Sequence, residues 1–126
     1  MSNYSLNIEE RPGYLHAKVT GTSDQENVFG YMQQVCDACA ARNRTVLLIE
    51  EDLSGPGLSQ DALFKLVNNR APEARELLSK IAFVDVNPEH DFSRSKLMET
   101  YAVSRGVNLR VFSTAEAAQD WLEKQD

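Results

Sequence analysis

Two short runs of uninterrupted apolar residues, Val46-Leu47-Leu48-Ile49 and Ile81-Ala82-Phe83-Val84, constrain this chain more than any other feature. Neither run alternates with polar residues, so each strand needs cover on both faces, as strands inside a helix-packed sheet do. Polar residues bound the first run, and Asn87-Pro88 ends the second after Asp85-Val86. Two such strands with helical segments between them predict an α/β fold in which they are neighbours at the centre of the sheet.

The N-terminal segment has a different period. Tyr4, Leu6 and Ile8 alternate with Ser5, Asn7 and Glu9, and after Arg11-Pro12-Gly13-Tyr14 the alternation resumes with Leu15, Ala17 and Val19 against His16, Lys18 and Thr20. Proline presets the turn and glycine supplies its positive φ, so a hairpin follows, with His16 and Lys18 on its solvent side.

The remaining elements are marked by caps and helical spacings. Ser23-Asp24-Gln25-Glu26 has the form of a capping box, and Val28, Met32, Val35, Cys36 and Cys39 form one stripe of a helix that ends near Asn43. Glu50 to Gly57 is expected as a loop, after which Ser59 caps a helix carrying Leu63, Phe64, Leu66 and Val67. Pro72 predicts an interruption, with Pro72 to Ser79 as a separate helical turn. Ser93 is expected to cap a helix with Leu97, Met98, Tyr101 and Ala102 inward, stopped by Gly106. Leu109 to Phe112 reads as the last strand. Ser113-Thr114-Ala115-Glu116 opens a final helix that packs Ala117, Ala118, Trp121 and Leu122 on the sheet. The predicted order is β-β-α-β-α-β-α-β-α, about five strands in a mixed, mostly parallel sheet with about four helices, in one domain spanning residues 1–126.

With 126 residues there is room for a single core, and 19 acidic against 13 basic side chains give a net charge of -6, which repels phosphate backbones and anionic lipid surfaces. Arg42, Arg44, Arg70, Arg75 and Lys80 are dispersed and not interleaved with aromatic residues, so no nucleic-acid partner is expected. Met1 to Glu10 lacks the continuous apolar stretch of a signal peptide or membrane span, and two cysteines are too few for a disulfide framework. A cytoplasmic protein with reduced thiols and no integral membrane segment is expected.

Four features carry residue types capable of chemistry. Cys36-Asp37-Ala38-Cys39 lies in the second half of a helix on its apolar stripe, whereas redox pairs sit at helix N-termini, so both cysteines are expected in the core. With no second ligand pair and only the distant His16 and His90, no metal is assigned. Glu50-Glu51-Asp52 follows a central strand and is expected as a solvated rim. His90, near Asp85, Glu89 and Asp91, has no nucleophile motif beside it, and Gly55-Pro56-Gly57 has no phosphate-loop context. Neither a cofactor nor an enzymatic activity is predicted.

The succession of elements, the Ile81-Ala82-Phe83-Val84 strand and above all the ending Val111-Phe112-Ser113-Thr114-Ala115-Glu116-Ala117-Ala118-Gln119-Asp120-Trp121-Leu122 resemble the STAS domain, the fold of bacterial anti-sigma-factor antagonists. The closer resemblance is to its SpoIIAA-like branch, and it implies a non-enzymatic interaction domain. In the antagonist branch the loop after the middle strand carries an Asp-Ser pair whose serine a partner kinase phosphorylates. Here no serine directly follows an aspartate between Glu50 and Asp61, where the hydroxyls are Ser54 and Ser59, so the phospho-switch does not carry over and Ser59 reads as an N-cap. A candidate surface for a protein partner, a homodimer or a ligand is expected at Asp52, Ser54, Ser59, Leu63, Asn87 and His90, on the loop after the middle strand, the start of the next helix and the end of the second apolar strand. The similarity in fold of the SpoIIAA-like branch to CRAL-TRIO lipid-transfer proteins implies the alternative, a small apolar ligand or lipid held where the helices Leu63 to Val67 and Leu97 to Tyr101 part from the sheet.

Overall fold

The computed structural model describes residues 4–124; the part of the N-terminal reading that concerns Met1 to Asn3 lies outside the described residues. The elements are β1 (Tyr4–Arg11), β2 (Tyr14–Thr22), α1 (Gln25–Ala41), β3 (Val46–Ser54), α2 (Gln60–Leu77), β4 (Lys80–Asp85), α3 (Phe92–Ser104), β5 (Leu109–Phe112) and α4 (Ala115–Glu123). They are the nine elements in the predicted order. The sheet order is β1-β2-β3-β4-β5; β1 and β2 are antiparallel, and every other pair is parallel. Gly13 turns the hairpin with φ of 89°, the conformation its position requires.

The apolar runs are adjacent, pairing Leu47 with Ile81, Leu48 with Ala82 and Ile49 with Phe83. Alternation then divides them between two cores. Leu47, Ile49, Leu53, Ile81 and Phe83 face α1, α2 and α3, while Leu48, Ala82 and Val84 face Ala118 and Leu122 of α4. Trp121 packs at the margin of the second core and Ala117 stays exposed, one position off the predicted face.

Several local expectations are corrected. Glu50 to Ser54 are strand rather than loop, because β3 continues beside β2 as far as Ser54 opposite Thr22. Helix α2 runs unbroken through Pro72. Proline removes one backbone donor, but Ala71 and Ala74, buried on either side of it, keep the axis on the sheet. Helix α1 is capped by Asp24, whose Oδ1 accepts from the Asn27 amide at 2.8 Å, rather than by Ser23, whose amide donates to the Ser54 carbonyl at 2.7 Å. Asp91 caps α3 by accepting from the Ser93 amide, and Thr114 rather than Ser113 caps α4. The predicted boxes of α1 and α4 lie one residue early and the predicted cap of α3 two residues late; in each case the residue bordering the helix supplies the oxygen.

His16 is also corrected. It is 2% exposed, because its strand is internal, with Glu9 opposite it on β1 and Leu48 on β3. Its Nε2 lies 2.7 Å from Glu50 Oε1, while Nδ1 is buried with no hydrogen-bond partner among the described residues.

Candidate functional site

The parallel strands β3 and β4 end side by side, and this end of the sheet is where open α/β folds gather functional groups. Glu51 and Asp85 are register partners there, both on the face covered by α1, α2 and α3. Glu51 is not a solvated rim residue: it is 8% exposed, and Tyr31 of α1 donates its hydroxyl to Glu51 Oε2. Desolvation raises the Glu51 carboxyl from its ordinary 4.5 to about 7; the Tyr31 bond opposes the rise, Asp85 reinforces it and His90 opposes it. Burial, together with Glu51, pushes the Tyr31 hydroxyl well above its usual value. Of the trio, Glu50 is half-buried against His16 and Asp52 alone is exposed.

His90 joins the strand ends to the loop between β3 and α2. Its Nδ1 is 2.7 Å from Asp85 Oδ2 and its Nε2 is 2.6 Å from the carbonyl oxygen of Gly55. A carboxylate and a carbonyl both accept, so both ring nitrogens donate and the ring is an imidazolium. Desolvation lowers its pKa, but the Gly55 carbonyl, Asp85 and Glu51 outweigh it and hold the value above 6.5. Arg94 of α3 secures the same loop by donating to the Leu58 carbonyl and, at 3.4 Å, to that of Pro56. The Asp85 carboxylate is fully engaged, its second oxygen accepting from the Asn87 amide at 3.0 Å.

Behind this loop lies a cavity of about 200 Å³, with Glu51, Asp85, His90 and Arg94 on its polar side. Val28, Met32, Leu63, Leu66, Phe83 and Met98 form its apolar walls. A second space of about 60 Å³, with only apolar surface exposed in it, lies between α1, α2, α3 and the sheet.

Of the residues singled out in the sequence, Leu63 and His90 line the larger cavity, and Asn87 stands beside His90 with its side-chain amide donating to the Leu53 carbonyl at 2.7 Å. Ser54, Ser59 and Asp52 lie outside the cavity lining and are exposed. Ser54 Oγ donates to the Gly21 carbonyl at 3.1 Å, and Ser59 Oγ accepts from the Ala62 amide at 3.1 Å as the cap of α2. Sequence reasoning missed Glu51, Tyr31 and Arg94. For Glu51 the signal was present: it continues the period-two series Leu47, Ile49, Glu51, Leu53 on the covered face.

The cysteines behave as core. Both are reduced and buried; desolvation raises Cys36 to about 12, assisted by Glu73, and Cys39 to about 11. Among the described residues no three His, Cys, Asp or Glu side chains are grouped to hold a metal ion, and no helix is long and apolar enough to cross a membrane.

An antiparallel hairpin leading into parallel strands, with three helices on one face and the terminal helix on the other, defines a mixed-sheet α/β domain. Within that class the chain has the SpoIIAA-like fold. It superposes on an anti-sigma factor antagonist from Mycobacterium paratuberculosis with a TM-score of 0.61 at 17% identity, covering 96% of this chain and 95% of that one. It superposes on an uncharacterized protein with a SpoIIAA-like fold from Shewanella loihica PV-4 with a TM-score of 0.58 at 19% identity, covering 97% and 95%. No family model matches the sequence, and no curated protein matches it.

Proposed function

We propose that this chain is a non-enzymatic interaction domain of the cytoplasm, which binds a protein partner or a second copy of itself through the surface at the carboxyl ends of β3 and β4. The observation that carries the reading is the bracing of the loop between β3 and α2 by His90 and Arg94. Three loop carbonyls, those of Gly55, Pro56 and Leu58, accept from these two cations. A loop fixed before binding loses less conformational entropy when a partner covers it. Ser54, Pro56 and Ser59 are exposed on it, and Val86 and Phe92, exposed by 39% and 45%, extend the surface along the connection between β4 and α3. The solved neighbour named an anti-sigma factor antagonist is a protein named for acting on other proteins, which agrees with this reading. The carrier alternative is less well supported. The space that exposes only apolar surface is about 60 Å³, and small-molecule sites begin at about 300 Å³, so α2 and α3 would have to leave the sheet.

Site-directed photo-crosslinking in cells tests the proposal. A photoreactive residue at Pro56 is expected to give discrete protein adducts or a covalent dimer, and one at Lys18, on the opposite face of the sheet, is expected to give none. Equal adduct patterns at the two positions, or none at Pro56, would reject it.

A further inference from the structure

We infer that the cavity behind the braced loop is a binding site for a small primary alkylammonium, with Glu51 as its counter-ion. The inference is independent of the partner surface and stands on the hydrogen bonds around the cavity. The charged groups at the strand ends, Asp85 and His90, and Arg94 of α3 are already engaged. Both oxygens of Asp85 accept, from His90 and from the Asn87 amide. Both nitrogens of His90 donate, and the Arg94 guanidinium is drawn to loop carbonyls. Glu51 uses Oε2 for Tyr31, while its Oε1 has no hydrogen-bond partner among the described residues although the residue is 8% exposed. The residue is largely withdrawn from solvent, and an oxygen that keeps some access yet has no protein donor is one that a ligand N–H can reach and satisfy.

Charge selects an ammonium over an anion. Glu51, Asp85, Glu89 and Asp91 line the cavity against His90 and Arg94, and both of those cations are already committed to acceptors. The walls select the rest of the ligand. Met32, Leu63, Leu66 and Met98 offer apolar surface to a short alkyl chain, and about 200 Å³ falls below the ~300 Å³ at which drug-sized ligands begin, so only a few heavy atoms fit. Facing Glu51 are Tyr31 from α1, Asp85 from β4 and His90 from the segment before α3; Arg94 of α3 also lines the cavity.

The test is titration of the full chain with n-butylammonium chloride, followed by amide NMR shifts, with n-butanol as the neutral isostere. Saturable shifts centred on Glu51, Ser95 and Met98 are expected, with n-butanol at least tenfold weaker. Glu51→Gln is expected to weaken n-butylammonium at least tenfold. Should that variant unfold, the native chain still decides. Because Glu51 titrates near 7, ammonium affinity is expected to rise roughly tenfold between pH 6 and pH 8. No saturable shift, equal binding of n-butanol, or a flat pH dependence would overturn the inference. Competition by Nα-acetyl-lysine methylamide would identify a lysine side chain as the source of the ammonium, and its absence a free amine.

Discussion

His90 holds Asp85 through one ring nitrogen and the Gly55 carbonyl through the other, so a single imidazolium fastens the end of β4 to the loop that follows β3. Replacing it by alanine removes a donor from a carboxylate that is largely out of solvent and from a loop carbonyl. Loss of a charge-assisted bond of this kind costs about 1–3 kcal/mol. We expect His90→Ala to lower the unfolding free energy by that amount in urea. We also expect faster amide hydrogen exchange around residues 54–58, with α4 unchanged; uniform exchange throughout would mean that His90 does not act on the loop.

Glu51 and His90 together set a pH profile. Glu51 titrates at about 7 in the folded state and near its ordinary 4.5 when unfolded, so between those values the folded chain holds the extra proton, and stability falls as pH rises. The shift corresponds to about 3 kcal/mol. The raised His90 pKa acts in the same direction: its contribution is complete below 6.5 and is lost as pH climbs through the folded value. Urea midpoints are expected to fall from pH 5 to pH 8, and Glu51→Gln is expected to flatten most of that slope. A maximum above pH 8 would contradict the burial of Glu51.

Cys36 and Cys39 test the core between α1 and the sheet. With thiols raised to about 12 and about 11 by desolvation, little thiolate exists at pH 8. Labelling by Ellman's reagent is expected to be slower by more than about a hundredfold than in guanidinium, where an ordinary thiol has a pKa near 8.5. Rapid native labelling of either cysteine would show that α1 does not seal this region.

Pro72 lies inside α2, where proline costs about 3 kcal/mol relative to alanine, offset by roughly 1 kcal/mol because proline restricts the unfolded chain. Pro72→Ala is therefore expected to stabilise the protein by about 2 kcal/mol, read as a higher urea midpoint at unchanged slope. A loss of stability would mean that the helix has adapted its axis to the proline.

Much of the fold was legible because its signals are local. The runs at Val46 and Ile81, the alternation from Tyr4 to Val19 and the cap at Ser59 each report the environment of their own segment. What stayed hidden depends on neighbours. Glu51 reads as one of three surface acids until β2 and β4 flank it and Tyr31 reaches it from α1. His16 reads as a solvent residue until Glu9 and Leu48 close on either side. Pro72 reads as a break because propensity is weighed without the packing of Ala71 and Ala74.

The amino-acid order by itself determined nine elements in succession, the adjacency of the two inner strands and the core position of both cysteines, because hydrophobic period and capping chemistry act within a few residues. Only the tertiary structure decided that a carboxyl group is buried at the strand ends with one oxygen held by Tyr31, and that His90 and Arg94, before and within α3, brace the loop between β3 and α2. Those facts come from side chains about 20 to 40 positions apart in sequence, and the free energy of burying a charge depends on everything that surrounds it rather than on the residues beside it in the chain.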